Sequence, residues 1–453
     1  MKPLGLPISL LSFIKEQQAQ SLAKRAGFAF ALKALGVLLS FILNLLIARK
    51  LGPSATGQFY LTLTAASIAG VIGCLGLENT FLRHVSAGVS LNNWGAIKGL
   101  YSKGLLIALP FSVVLTASMF YLSLPIAIHV FNKPELAPII EIMSMATLPT
   151  VLILLHAELL KGLQRTFFYL LIHSISVPAI SILAFFVFCM RMDLGVTGAV
   201  WGHLFASCLT ALLGVSLWRW ISQTKMRRVK GLFGWRQIFK SNMPLFWVTL
   251  MNFLMMWSTT LFLGVFGNSN EVGIYATAYR VSLLTSFVLI AVNTVAAPKY
   301  AELYSLNQMQ RLEETALASV KVLLLFSVPP LILFIFFPHW IMGFFGNEFS
   351  QGGRCLSILA CGQFINVATG SVGYILMMSG HEKLMRNAIT VSGVLNVVLN
   401  LTLVPRYGII GGAAATAISV SILNTIAAYY VWAAVKIKPF PLPFISSRYE
   451  SMP

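Results

Sequence analysis

The sequence predicts an all-α integral membrane protein of about twelve transmembrane helices in two pseudo-symmetric six-helix bundles. Three observations carry that prediction: the composition, the length and spacing of the apolar runs, and an internal repeat. Of 453 residues, 57% are hydrophobic and 10% charged, against about 45–50% and about 25% in a typical soluble domain. Such a balance suits a chain whose solvent is largely lipid. It excludes disorder, a collagen-like fibre and a disulfide-stapled module. The net charge of +19 does not by itself imply a nucleic-acid partner, because Lys and Arg also mark one side of a membrane.

A bilayer core takes about 20 mostly apolar residues per helix. Runs of that kind lie at about 26–48, 57–77, 104–124, 137–159, 167–190 and 195–218, then 242–266, 273–298, 317–342, 353–378, 386–404 and 409–435. The fourth holds Glu141 and Glu158 and the eighth holds Arg280, which makes these two the least apolar. A spanning barrel would instead show strands of about 10 residues in strict alternation. Segments 37–46 and 322–326 show no alternation, so helices are expected. Residues 1–25 read as a polar, amphipathic tail and not a signal peptide, since the apolar run that follows is too long for a signal's core. The five cysteines are odd in number, lie in or beside spans and lack metal-ligand spacing, so they read as packing residues.

With the N-terminus inside, 23 of the 32 Lys and Arg fall on inner segments, six on outer loops, and three (Lys33, Arg280 and Lys321) within spans. That asymmetry predicts cytoplasmic termini. The densest cluster, Arg219, Lys225, Arg227, Arg228, Lys230, Arg236 and Lys240, divides the chain near its middle. The expected organisation is a tail (1–25), a first six-helix bundle (26–218), a basic linker (219–241), a second bundle (242–435) and a tail (436–453).

A repeat at an offset of about 213–218 residues relates the halves. Gly57-Gln58-Phe59-Tyr60 matches Gly273-Ile274-Tyr275-Ala276. Leu194-Gly195-Val196-Thr197-Gly198-Ala199 matches Tyr407-Gly408-Ile409-Ile410-Gly411-Gly412, and Lys161-Gly162-Leu163-Gln164-Arg165 matches Ser379-Gly380-His381-Glu382-Lys383. Six spans per half make the repeats parallel, an arrangement that in transporters encloses a substrate path worked by alternating access. The plainer reading is a duplicated membrane scaffold.

Particular motifs resemble a known family. Leu46-Ile47-Ala48-Arg49-Lys50-Leu51-Gly52-Pro53-Ser54-Ala55-Thr56-Gly57-Gln58-Phe59-Tyr60 is similar to the joint between the first two spans of bacterial polysaccharide flippases. Gly76-Leu77-Glu78-Asn79-Thr80-Phe81-Leu82-Arg83 resembles their following turn. Val272-Gly273-Ile274-Tyr275-Ala276-Thr277-Ala278-Tyr279-Arg280 resembles the opening of their eighth span, with Pro298 its closing proline. These flippases belong to the multidrug/oligosaccharidyl-lipid/polysaccharide exporter (MOP) superfamily. The resemblance implies a protein of the bacterial inner membrane that moves an undecaprenyl-pyrophosphate-linked oligosaccharide between leaflets for polysaccharide biosynthesis. It implies no enzymatic activity. The expected partners are that lipid-linked oligosaccharide, membrane lipids and a polysaccharide polymerase or chain-length machinery, with no nucleic acid. No phosphate-binding loop of the G-x-x-x-x-G-K-[ST] type is present, and no cofactor or metal is expected.

Ionisable residues inside a membrane are functional candidates by default. Arg280 lies seven residues into the eighth span, about 10 Å deep, and its fork of donors suits a pyrophosphate. The resembling family has an arginine there; the alternative is snorkelling to the outer surface. Lys33 lies at a similar depth from the inner side, as a second substrate-binding candidate or an inward snorkeller. Glu141, His173 and Glu158 are coupling or cavity candidates, with Lys161 at i+3 offering Glu158 a local ion pair. A multidrug/cation antiporter of the same superfamily is the alternative; it would need an embedded carboxylate, whereas the fixed intramembrane charges here are positive. A membrane polymerase or ligase is disfavoured, because its chemistry needs a larger outer loop than any expected here.

Overall fold

In hydrocarbon every backbone amide must be satisfied within the chain, which makes a helix the local solution for each apolar run. The computed structural model describes residues 8–438 apart from Arg228 and Leu232. Within them the regular elements are helical throughout. Residues 1–7 and 439–453 of the expected tails lie outside the described residues, as do the side chains of 8–26, Arg236 and Lys240.

The first helix, α1 (Ile8–Cys74), absorbs both the first and second expected spans. Its backbone breaks at Gly52, with φ 76° and ψ 176°, immediately before Pro53, whose ring disfavours a helical preceding residue. Much of the expected N-terminal tail is thus the start of α1. Next come α2 (Leu77–Ser90) and α3 (Trp94–Tyr121). Asn93 caps α3 by accepting from the Ala96 amide at 3.0 Å. The fourth expected span is two helices, α4 (Ala137–Ser144) and α5 (Thr147–Gly162), bent by 42°. Pro149 explains the bend: it has no amide to donate to the Met145 carbonyl, and its ring crowds that group. Helix α6 (Thr166–Arg191) contains two π-helical stretches, Leu171–Ser176 and Phe186–Arg191. The first widens the helix just ahead of Pro178.

Helices α7 (Gly195–Met226) and α8 (Trp235–Phe266) run into the expected linker from both sides, leaving it at 227–234. Then come α9 (Ser269–Ser282), a 3₁₀ stretch at Leu283–Ser286 and α10 (Phe287–Ser305). Helix α10 continues beyond the expected end of the eighth span to Ser305, and α11 (Met309–Phe336) begins after a three-residue turn. Pro338 starts a separate helix, α12 (Pro338–Gly343), so the ninth span ends at 336 and not 342. Gly370, at φ 74°, separates α13 (Gly353–Ala368) from α14 (Val372–Met378). Finally α15 (Glu382–Tyr430) carries the last two expected spans, broken at Gly408 with φ 52°.

Among the described residues, nine helices are long and apolar enough to cross a membrane, or ten if the bent α4–α5 pair counts as one span. This is an all-α multi-pass membrane protein. Positive-φ turns recur about 215 residues apart, at Asn92 and Asn307, Gln164 and Gly380, and Gly195 and Gly408.

The end holding the Gly52 and Gly408 breaks is called the kink end, and the opposite one, with the 227–234 linker, the basic end. At the kink end one apolar core joins both halves, packing Ile47, Phe59 and Leu61 of α1 with Leu263, Ile274, Tyr275 and Phe349. At the basic end the cores are separate. Leu77, Phe81, Leu155 and Trp218 form one in the first half, and Tyr300, Leu312, Leu376 and Val431 another in the second.

Candidate functional site

Two glycines fix where the halves meet. A Cβ on Gly57 would lie 1.7 Å from the Ser269 carbonyl oxygen, and one on Gly273 would lie 1.9 Å from the Pro53 carbonyl oxygen. Only glycine permits so close a backbone crossing. These are the residues that the repeat aligns, and here they face each other across the seam of α1 and α9.

The crossing brings Tyr60, one turn beyond Gly57, against Arg280, two turns beyond Gly273. The guanidinium carbon of Arg280 sits 3.5 Å from the centre of the Tyr60 ring and 5.8 Å from that of Trp257. One terminal nitrogen donates to the Ala276 carbonyl at 2.8 Å. The Tyr60 hydroxyl donates to Asn44 Oδ1 at 2.8 Å, while the buried Nδ2 of Asn44 has no hydrogen-bond partner. Both legs of α1, together with α8 and α9, therefore contribute to one polar spot. Among the described residues no carboxylate lies within ion-pairing distance of Arg280. A cation in a low-dielectric setting is held by aromatic faces, at about 2 kcal/mol when desolvated, with donors left to receive an anion. Behind it in the second half, the buried hydroxyls of Tyr275 and Thr259 both bond Thr416, at 2.8 and 2.9 Å.

A second cluster lies in the first half toward the basic end. Gly36 of α1 packs on Ser174, within the first π-helical stretch of α6; a Cβ there would be 2.7 Å from the Ser174 carbonyl oxygen. The wide turn presents His173, whose ring stands 5.2 Å from that of Tyr169. Lys161 bonds Glu158 at 3.1 Å and lies 5.0 Å from the centre of the Tyr169 ring. Lys33 and Lys161 both lie within electrostatic reach of His173. Structurally, π-helical turns of this kind are common at functional sites.

The structure therefore brings Lys33, His173 and Glu158 together and leaves Arg280 apart. Lys33 is eleven residues from Asn44 along α1, about 16 Å at 1.5 Å per residue. Glu141 is exposed on α4 and joins neither cluster. Sequence reasoning passed over Tyr60 and Trp257, the two rings that hold Arg280. The available signal was Tyr60 itself, the aromatic closing the Gly57-Gln58-Phe59-Tyr60 motif.

A family model described as "Polysaccharide biosynthesis protein" matches residues 22–304. The chain belongs to the Polysaccharide biosynthesis protein family. A second model, MatE, matches residues 244–402. Among curated proteins, the chain is 31% identical over 183 residues to a probable low-salt glycan biosynthesis flippase of Haloferax volcanii, which is 40% of this chain and 39% of that one. The chain thus spans about two-fifths of the length of that relative. Among solved structures it is similar to a multidrug resistance MATE family transporter of the MOP superfamily in an inward-facing conformation. The TM-score is 0.71 at 14% identity, over 88% of this chain and 94% of that one. It is also similar to the lipid II flippase MurJ in an inward closed conformation, with a TM-score of 0.69 at 17% identity, over 91% of this chain and 88% of that one.

This multi-pass member of the Polysaccharide biosynthesis protein family accordingly shares the fold of solved transporters of the MOP superfamily. The expected placement in a bacterial inner membrane is corrected by the curated relatives, two of which are probable flippases of the archaeon Haloferax volcanii.

Proposed function

We propose that the protein is a flippase for a lipid-linked oligosaccharide, working by alternating access between two six-helix bundles, residues 26–218 and 242–435. Reading α1 and α15 as two spans each, divided at Gly52 and Gly408, and the bent α4–α5 pair as one, yields twelve spans. The observation that carries the reading is Arg280: a permanently charged, carboxylate-free guanidinium lying on Tyr60 where the halves meet. A lipid-linked sugar presents a phosphate that must leave water midway, and a pre-positioned guanidinium replaces that hydration with charge-assisted bonds. Lys33 and Lys161 provide a second cationic station toward the basic end. Glu158 and His173 beside them are proton-coupling candidates, as is Glu141 on its own. The family description and the glycan-biosynthesis relative support the same substrate class, and a polymerase or chain-length partner would receive the product.

The second reading is a multidrug/cation antiporter. At the level of fold the comparisons support it better, through the MATE structure and the MatE model. Its best feature within the chain is Glu78, whose buried Oε2 has no hydrogen-bond partner. Proteoliposomes separate the two. A fluorescent polyprenyl-pyrophosphate oligosaccharide should become accessible across the bilayer with the wild type. Arg280→Ala should slow this roughly ten- to hundred-fold, the loss expected for one hydrogen-bonded charge contact, and Arg280→Lys by less. Unchanged translocation by Arg280→Ala would remove the role given to Arg280. Cation-gradient-driven drug uptake abolished by Glu78→Gln, without lipid translocation, would establish the antiporter.

A further inference from the structure

Two adjoining cavities at the kink end belong to neither cluster. The first, about 450 Å³, is lined by Arg49, His339, Trp340, Asn347 and Ser350 among others. The second, about 300 Å³, has an almost wholly apolar wall that includes Phe41, Leu45, Leu284, Phe334 and Ile341. Arg49 and Phe344 line both, so the two cavities adjoin at these residues. Together they fall in the size range of small-molecule sites, roughly 300–1,000 Å³.

The parts are arranged along one axis. From Arg49 to Phe41 is eight residues of α1, about 12 Å, so the apolar cleft runs from the rim toward the 3₁₀ stretch at Leu283–Ser286 that follows Arg280. Nε of Arg49 donates to the Phe344 carbonyl at 2.6 Å, which fixes the side chain. Its terminal nitrogens have no protein partner among the described residues and remain a fork for an oxyanion. The neighbouring Lys50 is taken up by Asp193 at 3.1 Å. Glu348 points instead toward Gly52, its Oε2 4.0 Å from where a Cβ there would lie. Trp340 is 62% exposed, propped on Phe344 with ring centres 4.5 Å apart. His339 is held by the Ser350 carbonyl at 2.7 Å. A cation fork, an open indole, an amide and a hydroxyl above an apolar cleft form a set of contacts for a sugar phosphate with a hydrocarbon chain.

We infer that this is a docking subsite for a lipid-linked sugar phosphate at the kink end: phosphate on Arg49, proximal sugar on Trp340 and Asn347, chain in the cleft along α1. The subsite rests on the flippase reading for its ligand class. It stands apart from the Arg280 station and would hold the product before it leaves into the leaflet at the kink end.

Photo-crosslinking tests it on the full chain in nanodiscs, with a polyprenyl-phosphate hexose bearing a diazirine on the chain next to the phosphate. Labelled peptides should cover residues 334–350 and 41–49. Arg49→Gln should cut that labelling roughly ten-fold or more, Arg49→Lys by less, and Lys50→Gln not at all. Trp340→Ala should weaken competition by the sugar-bearing lipid while leaving competition by sugar-free polyprenyl phosphate unchanged. Labelling of the same peptides undiminished in both Arg49 variants, or competed equally by phosphatidylglycerol, would overturn the subsite. A wild type that is labelled there in an Arg49- and Trp340-dependent way, yet translocates nothing, would uphold the subsite and sink the flippase reading. Translocation without labelling there would do the reverse.

Discussion

The two ends of the molecule are held together differently. At the kink end a single apolar core is shared by both halves, with backbone against backbone at Gly57 and Gly273. At the basic end each half keeps its own core, and the halves meet largely through side chains, Phe30 against Phe287 with ring centres 5.5 Å apart and Asn79 donating to Thr249 at 3.0 Å, with one close backbone approach, of Gly76 to Asn242 and Phe246. Side-chain contacts can part by rotamer changes, whereas a seam of interlocked backbones opens only as a unit, since close-packed interfaces switch between arrangements and do not deform continuously. Under the alternating access proposed above, the tighter seam and the more loosely joined basic end would correspond to one of its states. Arg280 sits just inside the seam, where it would change exposure as the seam opens.

The largest expected effect follows from the backbone crossing. Gly57→Ala or Gly273→Ala places a methyl group less than 2 Å from a carbonyl oxygen, so the seam must spread. The expected loss is about 3 kcal/mol or more, the upper range for overpacking, read as a fall in melting temperature in detergent. Gly27, with nothing within 4 Å of its Cβ position, is the counterpart toward the other end. Gly27→Ala should be neutral or slightly stabilising, because alanine favours helix by about 0.5–1 kcal/mol. Equal melting of all three variants and the wild type would show that the seam is not the lock.

A smaller effect tests how the seam holds Arg280. Tyr60→Leu removes both the ring under the guanidinium and the bond to Asn44. Translocation should fall roughly ten-fold, matching about 1.4–2 kcal/mol for a desolvated cation–π contact. Tyr60→Phe keeps the ring and should cost less than about three-fold. If the two variants behave alike, the hydroxyl and not the ring positions Arg280.

The shared core and the separate cores also mark what the sequence could reveal. An all-α membrane fold was legible because apolar runs of the right length need no knowledge of neighbours. Arg280 and the Lys161–Glu158 pair were legible for the same reason, as a charge in an apolar run and an i, i+3 spacing. Helix ends were less so: Pro149 could have been read as a bend, but the π-helical turn that displays His173 depends on how α1 packs at Gly36. The pairing of Arg280 with Tyr60 was hidden because it joins residues 220 positions apart, and nothing in either segment states which faces meet. The alignment of Gly57 with Gly273 was visible as similarity; that they touch is a fact of three dimensions.

The smallest expected effect is a slope, and it concerns Lys133, a loop residue with no sequence signature. From the first half it donates to the Gly264 and Gly267 carbonyls at the end of α8, and to Phe131 at 3.0 Å. It thus ties the halves beside the seam and satisfies carbonyls that a helix terminus leaves open. Burial pushes its ammonium below the ordinary lysine range, with the Glu135 and Glu271 carboxylates drawing it partly back. A lysine depressed by folding binds its proton less readily folded than unfolded. Between its folded value and the ordinary lysine value, about 10.4, the unfolded chain therefore holds more protons, and stability rises with pH. Below that window the cost of keeping the buried charge is borne in full. Lys133→Met removes the titrating group, so the wild type's melting temperature relative to this variant should climb as pH is raised toward 10. A relative stability that is flat or falls over that range would mean that the lysine is not desolvated there, and that the tie is an ordinary surface contact.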